Sequence, residues 1–311
     1  MTNDDDVTTR ANGRWPSILK DLGIDEKYLR NQHGPCPLCG GTDRYRFDNM
    51  EGRGTYFCQG CGAGNGWSLV QKYFGINFSR AVEMVSPLVG LLSDSLSEVE
   101  IPVKKDPIPA LKFVAGKSEP IRYMGSVSRY LQSRGFDEVP DGLREANLNF
   151  YSDGKVVGRY DVLVSLIQDF EGKGVSYHLT YTEDGKKAPI SPARKVMSPK
   201  GTITGAAIRL HVDFEDSICV AEGIESAYAA HIDSGLPAFA TISAHGLETF
   251  VVPEGVKTVM IYGDNDASYT GQAAAYALAK RLRNAGVESW VFIPDRVGED
   301  FNDILIKNKE K

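Results

Sequence analysis

Residues 257–286 read "KTVMIYGDNDASYTGQAAAYALAKRLRNAG". An apolar run breaks at Gly263, two aspartates follow two apart, Asp264 and Asp266, and apolar residues then recur at helical spacing up to Gly286. Strand, loop and helix in that order make one βα unit. An acidic pair in such a loop can hold calcium, hold magnesium or cap the helix. An EF-hand loop starting at Asp264 needs Gly at its sixth position and Glu at its twelfth. Those positions hold Tyr269 and Ala275, which removes calcium of that kind.

The same alternation extends on both sides. "SICVAE" is a strand and "GIESAYAAHIDSG" a helix closed by Gly235. "PAFATIS" and "ESWVFIP" are further strands, "GLETFVV" is a short helix or turn, and "DFNDILIKN" is a last helix. Nearly continuous apolar strands alternating with helices predict a mostly parallel sheet covered by helices over residues 216–311. Glu222 follows the strand "SICVA", Asp264 closes "KTVMIYG", and Asp300 and Asp303 follow the last strand. Three segments thus bring acids to the carboxyl edge of one sheet, where such sheets bind ligands. Clustered carboxylates repel one another unless solvated or neutralised by a cation, and Mg²⁺ takes a few carboxylates, water and phosphate oxygens. Each acid also stands where a helix N-cap would stand, so capping competes for any one of them. For all three segments together the metal reading explains more.

Upstream, Cys36-x2-Cys39 and Cys58-x2-Cys61 are separated by eighteen residues. Two such knuckles complete a tetrahedron of thiolates for a structural zinc with no open position. Gly40, Gly41, Gly60 and Gly62 allow the sharp turns. His33, three before Cys36, is an alternative ligand but reads rather as a supporting or DNA-facing residue, and Cys219, in an apolar strand, as a core residue. Between the knuckles, "GTDRYRFDNMEGRGTYF" mixes arginines with aromatics. Arg44 and Arg46 read as phosphate contacts, and most of the aromatics as packing for a module with little other core.

The rest of the chain sets the frame. Its 311 residues suffice for two or three domains, and 42% apolar and 24% charged residues are ordinary globular values. No run of eighteen apolar residues occurs and the acidic start "MTNDDDVTTR" is no signal peptide, so a cytoplasmic protein without membrane contact is expected. The net charge of −6 excludes a uniformly basic nucleic-acid binder but not a locally basic surface. The organisation predicted is an N-terminal helical extension (1–30), a zinc ribbon with two following helices broken near Gly75, the second capped by Ser79 (31–89), a linker (90–110), a mixed α+β subdomain (111–215) and the α/β domain (216–311).

"VAEGIESAYAAHIDSGLPAFATIS", "VMIYGDNDASYTGQAAAYALAKRL" and "GEDFNDIL" together resemble the TOPRIM domain, a magnesium-binding α/β fold. "HGPCPLCGGTDRYRF…YFCQGCGAG" resembles the zinc ribbon of phage- and plasmid-type primases, and "RYLQSRGF", "YHLTYTEDGKKA" and "ARKVMSPKGTITGAAIRL" resemble the segment that precedes TOPRIM in that family. The resemblance, to DnaG-type primases, covers residues 31–306 and implies a multi-domain α/β protein: a β-rich ribbon, a mixed subdomain, then TOPRIM. It implies RNA-primer synthesis from ribonucleoside triphosphates on a single-stranded DNA template, by two-metal nucleotidyl transfer with Mg²⁺, Mn²⁺ being an alternative. Glu222, Asp264, Asp266 and Asp300 are the implied metal residues, with Glu222 either ligand or general base. Lys195 joins the catalytic set, and Arg129, Arg159, Arg194, Lys200 and Arg209 are candidate nucleotide or DNA contacts. The ribbon is expected to read the template start site. No Walker A motif is present, and a replicative helicase on a separate chain is the expected partner. The competing classes are another TOPRIM phosphoryl-transfer enzyme, such as a nuclease, and a non-catalytic ssDNA-binding adaptor.

Overall fold

The computed structural model describes residues 3–91, 106–152 and 154–310. The chain divides into two compact units, Met1–Lys105 and Asp106–Lys311. Most of the linker expected at 90–110 lies outside the described residues.

The first unit begins with α1 (Asn3–Ala11) and α2 (Trp15–Asp21). Four short strands follow, β1 (Gly34–Cys36), β2 (Gly40–Phe47), β3 (Tyr56–Cys58) and β4 (Gly62–Gly64), paired in sequence order and antiparallel. Helices α3 (Gly66–Phe74) and α4 (Phe78–Leu91) close it. The polar start is helical because Val7 and Ala11 bury one face in a core shared with Trp15, Leu19, Tyr45, Leu69 and Val85. Gly75 ends α3 at φ +64°. The α4 cap is Asn77, not Ser79: its Oδ1 accepts from the Arg80 amide at 3.0 Å.

Gly66 shows how tightly this unit packs. A Cβ there would lie 2.0 Å from the ring of Trp15, which is itself buried. Gly66→Ala is expected to destabilise the first unit by about 1–3 kcal/mol through overpacking. At Gly116, helical and with nothing near its added Cβ, alanine should instead stabilise by up to about 1 kcal/mol. Urea denaturation of both variants checks the opposite signs.

The second unit contains α5 (Ile108–Lys117), α6 (Ser126–Ser133), β5 (Leu143–Ser152), β6 (Lys155–Gln168), β7 (Gly174–Glu183), β8 (Lys186–Lys187), β9 (Arg194–Val196) and β10 (Ala207–Arg209). It continues with β11 (Ser217–Ala221), α7 (Ile224–Ser234), β12 (Ala238–Ala240), α8 (Ala244–Thr249), β13 (Thr258–Tyr262), α9 (Thr270–Asn284), β14 (Glu288–Phe292) and α10 (Phe301–Lys309). One sheet runs β14-β13-β11-β12-β10-β6-β7-β8, so it passes through both segments that the sequence divides near residue 215. The last four strands are mutually parallel, and β10 joins them to the antiparallel part by pairing with β12 and β6.

Alternation along β11 explains why the sheet is buried on both faces. Ile218 and Val220 meet Leu247, Ala275 and Leu278 of α8 and α9. Cys219 and Ala221 share the other core, with Ala227 and Tyr228 of α7 and Leu305 of α10. Cys219 is thus a core residue, its thiol pushed up to about 12 by burial.

On β7, burial first and then the charge of Arg194 hold His178 down at about 4, against an ordinary 6.5. A folded value below the unfolded one means the stability is fully present above about pH 6.5 and lost as pH falls towards 4. The difference corresponds to about 3 kcal/mol. His178→Leu should therefore flatten the loss of unfolding free energy between pH 6.5 and 4, measured by urea titration at each pH.

Candidate active site and zinc centre

In the first unit the chain reversals after β1 and β3 bring the four cysteine sulfurs together. All lie within 4.8 Å of one another, with Cys36 and Cys61 at 3.5 Å and Cys39 and Cys58 at 3.6 Å. A tetrahedron with Zn–S bonds of ~2.3 Å has S···S edges of ~3.8 Å, so the cage fits zinc closely. The Leu38 and Gly60 amides each lie 3.4 Å from a sulfur, of Cys36 and Cys58, and orient the knuckles. Arg44 packs over the knuckle glycines Gly41 and Gly60. Arg46 pairs with Asp48 at 3.6 Å. Tyr45, Phe47 and Tyr56 are buried, Tyr45 stacked on Tyr56.

In the second unit, the register Ala221↔Tyr262 sets the ends of β11 and β13 side by side. Glu222 and Asp264 therefore leave the sheet at the same edge. Gly271 lets the N-terminus of α9 approach: a Cβ there would lie 2.6 Å from the Asp264 carbonyl. The Gly271 amide donates to Asp266 Oδ2 at 3.0 Å. Asp300 caps α10, its Oδ1 accepting from the Asp303 amide at 2.8 Å. Asp266 and Asp300 thus do cap helices, each through one carboxylate oxygen. Glu222 and Asp264 differ, since Glu222 Oε1 and Asp264 Oδ1 are buried without a hydrogen-bond partner.

Burial raises Glu222 to about 8, helped by Asp264 and Asp266. Burial raises Asp264 to about 7, helped by Asp300, Asp266 and Asp303. Orphaned, mutually repelling carboxylate oxygens fit a divalent cation. Among the described residues the cysteine sulfurs form the one group of three or more metal-binding atoms drawn within 4.8 Å, and the carboxylates stand wider. Mg²⁺ uses one or two carboxylates and leaves positions for water and substrate phosphate. Beside Glu222, Ile242 is held at φ +77°, an uncommon conformation for a β-branched residue, and its amide donates to the Glu222 carbonyl at 2.7 Å.

The basic candidates fall into separate places. Arg194 ion-pairs with Glu225 of α7 and lies 3.3 Å from the Tyr130 hydroxyl. Lys195, next on the strand, turns to the other side: its Nζ sits 3.8 Å from the Phe150 ring centroid and 3.1 Å from the Tyr151 carbonyl. Arg129 donates to the Met124 carbonyl and Arg159 to Asn147. Arg209 donates to the carbonyls of Asp169 and Phe170 at 3.1 Å each and packs near Phe214 and Phe239. Lys200 is exposed. Of these, Arg194 is the one bonded to the helix that begins just after Glu222. Glu225, Tyr130, Lys187 and Arg134 around it escape sequence reading. The spacing "EGIE" marks Glu225 only as a second acid on the same helix start.

With this geometry in hand, comparison with known proteins identifies the parts. Residues 31–67 match the family model described as "Zinc-binding domain of primase-helicase", and residues 217–310 the model described as "Toprim domain". Residues 108–210 match "Domain of unknown function (DUF7146)". The chain thus carries a primase-type zinc ribbon followed by a Toprim domain. Similar solved structures include the Aquifex aeolicus primase zinc-binding and RNA polymerase domains, with 18% identity over 99% of this chain and 83% of that one, TM-score 0.43. The primase fragment of the bacteriophage T7 primase-helicase shares 16% identity over 90% and 96%, TM-score 0.38. A DNA primase domain from Pseudomonas aeruginosa shares 17% over 65% and 75%, TM-score 0.43. Among the described residues no helix is long and apolar enough to cross a membrane.

Proposed function

We propose that the protein is a DNA primase that joins ribonucleotides into short RNA primers on single-stranded DNA. The observation that carries this is the pair of buried, unpartnered carboxylate oxygens on Glu222 and Asp264, at a Toprim strand edge in a chain that also bears a primase-type zinc ribbon. Glu222, Asp264, Asp266 and Asp300 would hold the catalytic divalent metals of a two-metal nucleotidyl transfer, with Mg²⁺ the expected ion. When bound, such an ion neutralises triphosphate charge and makes the attacking hydroxyl more acidic. The chain's own residues supply the rest. Asp264 and Asp266 present oxygens from one loop, anchored by the Gly271 amide. Glu222, whose Oε1 is buried without a partner, is the candidate to take the proton of a primer 3′-hydroxyl when it is not a ligand. Arg194, ion-paired to Glu225 three residues after Glu222, keeps its side chain 36% exposed and can meet phosphate oxygens.

The four-cysteine zinc holds the ribbon as a rigid surface, on which Arg44 and Arg46 are the candidate DNA contacts. Its role is selection of the template start site. A replicative helicase on another chain is the expected partner.

The test is synthesis of labelled RNA from ribonucleoside triphosphates on a panel of ssDNA templates with Mg²⁺. Primers that begin at a fixed template sequence support the reading. Shortened DNA without primers would replace it with a Toprim nuclease.

A further inference from the structure

Glu225 is the ionisable side chain of this region that the mechanism leaves unused. It lies in the first turn of α7, three residues after Glu222, and the two glutamates have opposite surroundings. Glu222 Oε1 has no partner. Glu225 Oε1 accepts from the Tyr130 hydroxyl at 2.5 Å and from the Arg194 guanidinium, and its side chain is 12% exposed. Burial alone would raise its pKa, but Arg194 and Tyr130 overcome this and hold it at about 2. A carboxylate neutralised in this way has little charge left for a metal ion.

The elements involved give the contact its meaning. Tyr130 comes from α6, Arg194 from β9 and Glu225 from the first Toprim helix. The ion pair therefore spans the junction between the segment at 108–210 and the Toprim segment, next to the acidic edge. Lys187 of β8 stands within electrostatic reach of Arg194, Arg134, Glu225 and Asp300. Arg134 lies over the Tyr130 ring, 5.7 Å from its centroid. Its carbonyl accepts from Asn302, which neighbours Asp300 in the chain, at 2.7 Å. Arg194 and Lys187 thus stand around one buried carboxylate, with Arg134 beside Lys187 and over Tyr130.

A buried ion pair is a weak stability device, since its desolvation cost offsets most of the attraction. Its use is geometric: a planar guanidinium held by carboxylate and phenol cannot swing away. We infer that Glu225 is a positioning residue: with Tyr130 it fixes Arg194, beside Lys187 and Arg134, as a subsite for the polyphosphate of a nucleoside triphosphate. This rests on the priming reading, since it supplies the triphosphate to that same edge.

The experiment measures equilibrium binding of a ribonucleoside triphosphate and of the matching monophosphate to the full chain with Mg²⁺, alongside KM and kcat for primer synthesis. Glu225→Gln should weaken triphosphate binding and raise its KM about tenfold. It should leave monophosphate binding within about twofold, because the lost contact is with the outer phosphates. Glu225→Asp should recover part of the loss. Combined with Arg194→Gln, Glu225→Gln should add little further, because both act through one guanidinium. If Glu225→Gln does not fold, Tyr130→Phe, which removes a single hydroxyl, should still give about a threefold effect. A purely structural ion pair would lower the melting temperature and leave triphosphate affinity unchanged, and that result overturns the inference. So does a wild-type chain that binds no triphosphate. A wild-type chain that makes primers while Glu225→Gln keeps its KM refutes the positioning role alone. One that binds triphosphate through Glu225 but makes no primers refutes the priming reading alone.

Discussion

Primer synthesis by the double variant Asp264→Asn, Asp266→Asn is expected to fall by roughly a thousandfold or more, because metal stabilisation of a transferring phosphoryl group is worth several kcal/mol. The same change should make the metal-free protein more stable. In the wild type, Asp264 buries a carboxylate with an unpartnered oxygen among Asp266, Asp300 and Asp303. An amide there removes the buried charge and the repulsion, and the Asp266 substitution keeps a side-chain oxygen for the Gly271 amide. A gain of about 1–3 kcal/mol in buffer without added Mg²⁺, the zinc left in place, is the expected size. Adding Mg²⁺ should raise the wild-type melting temperature and leave the variant's unchanged, since only an ion that binds the native state stabilises it. Thermal melts with and without Mg²⁺, read beside the primer assay, check both signs. A variant that primes normally would end the assignment of these aspartates to the catalytic edge.

Removing zinc should have the largest effect on stability. The strands β1, β3 and β4 are three residues each, too short to hold a sheet without the metal cage. Structural zinc contributes roughly 10–16 kcal/mol at neutral pH, comparable with the whole stability of a small domain. Cys58→Ser, or chelation of the wild type, is expected to unfold the first unit while the second keeps its own cores. Tryptophan fluorescence can separate the two. Trp15 and Trp67 sit edge to face at 5.0 Å inside the first unit, and the third tryptophan, Trp290, is 44% exposed on β14. The emission of the buried pair should shift red on chelation and recover on zinc addition. Far-UV circular dichroism should retain the signal of the second unit. If the pair stays buried after complete zinc removal, the helices α1–α4 hold the unit by themselves and the metal only trims the ribbon.

The sequence and the structure divide the remaining questions by range. Helix ends at Gly75, Gly235 and Gly286 are legible because a left-handed residue acts on its own turn. Strand β5 is missed in sequence: its exposed positions Asn147 and Asn149 carry no strand preference, and its register is set by fourteen-residue β6. Helix α1 falls within the helical extension expected at 1–30, and two small apolar residues suffice to seat it once a core exists to receive them. Asp266 and Asp300 show why single-residue readings stay ambiguous, for each has two oxygens and one of them caps a helix in the structure.

What the sequence determined by itself is what local chemistry controls. Paired C-x-x-C spacing selects a zinc cage whatever surrounds it. The period of the apolar runs puts Glu222 and Asp264 at strand ends, because a parallel sheet aligns those ends. What only the tertiary structure decided is which neighbours each charge meets. Arg194 and Lys195 are adjacent and chemically alike, yet a strand sends consecutive side chains to opposite faces. Packing of β9 against the Toprim helix turns Arg194 to Glu225 and leaves Lys195 on Phe150. In "EGIE" likewise, one glutamate is left unpaired at the acidic edge and the other is neutralised by a residue thirty-one positions away. Long-range pairing of that kind leaves no local pattern, because the energy that sets it comes from burial between elements far apart in the chain.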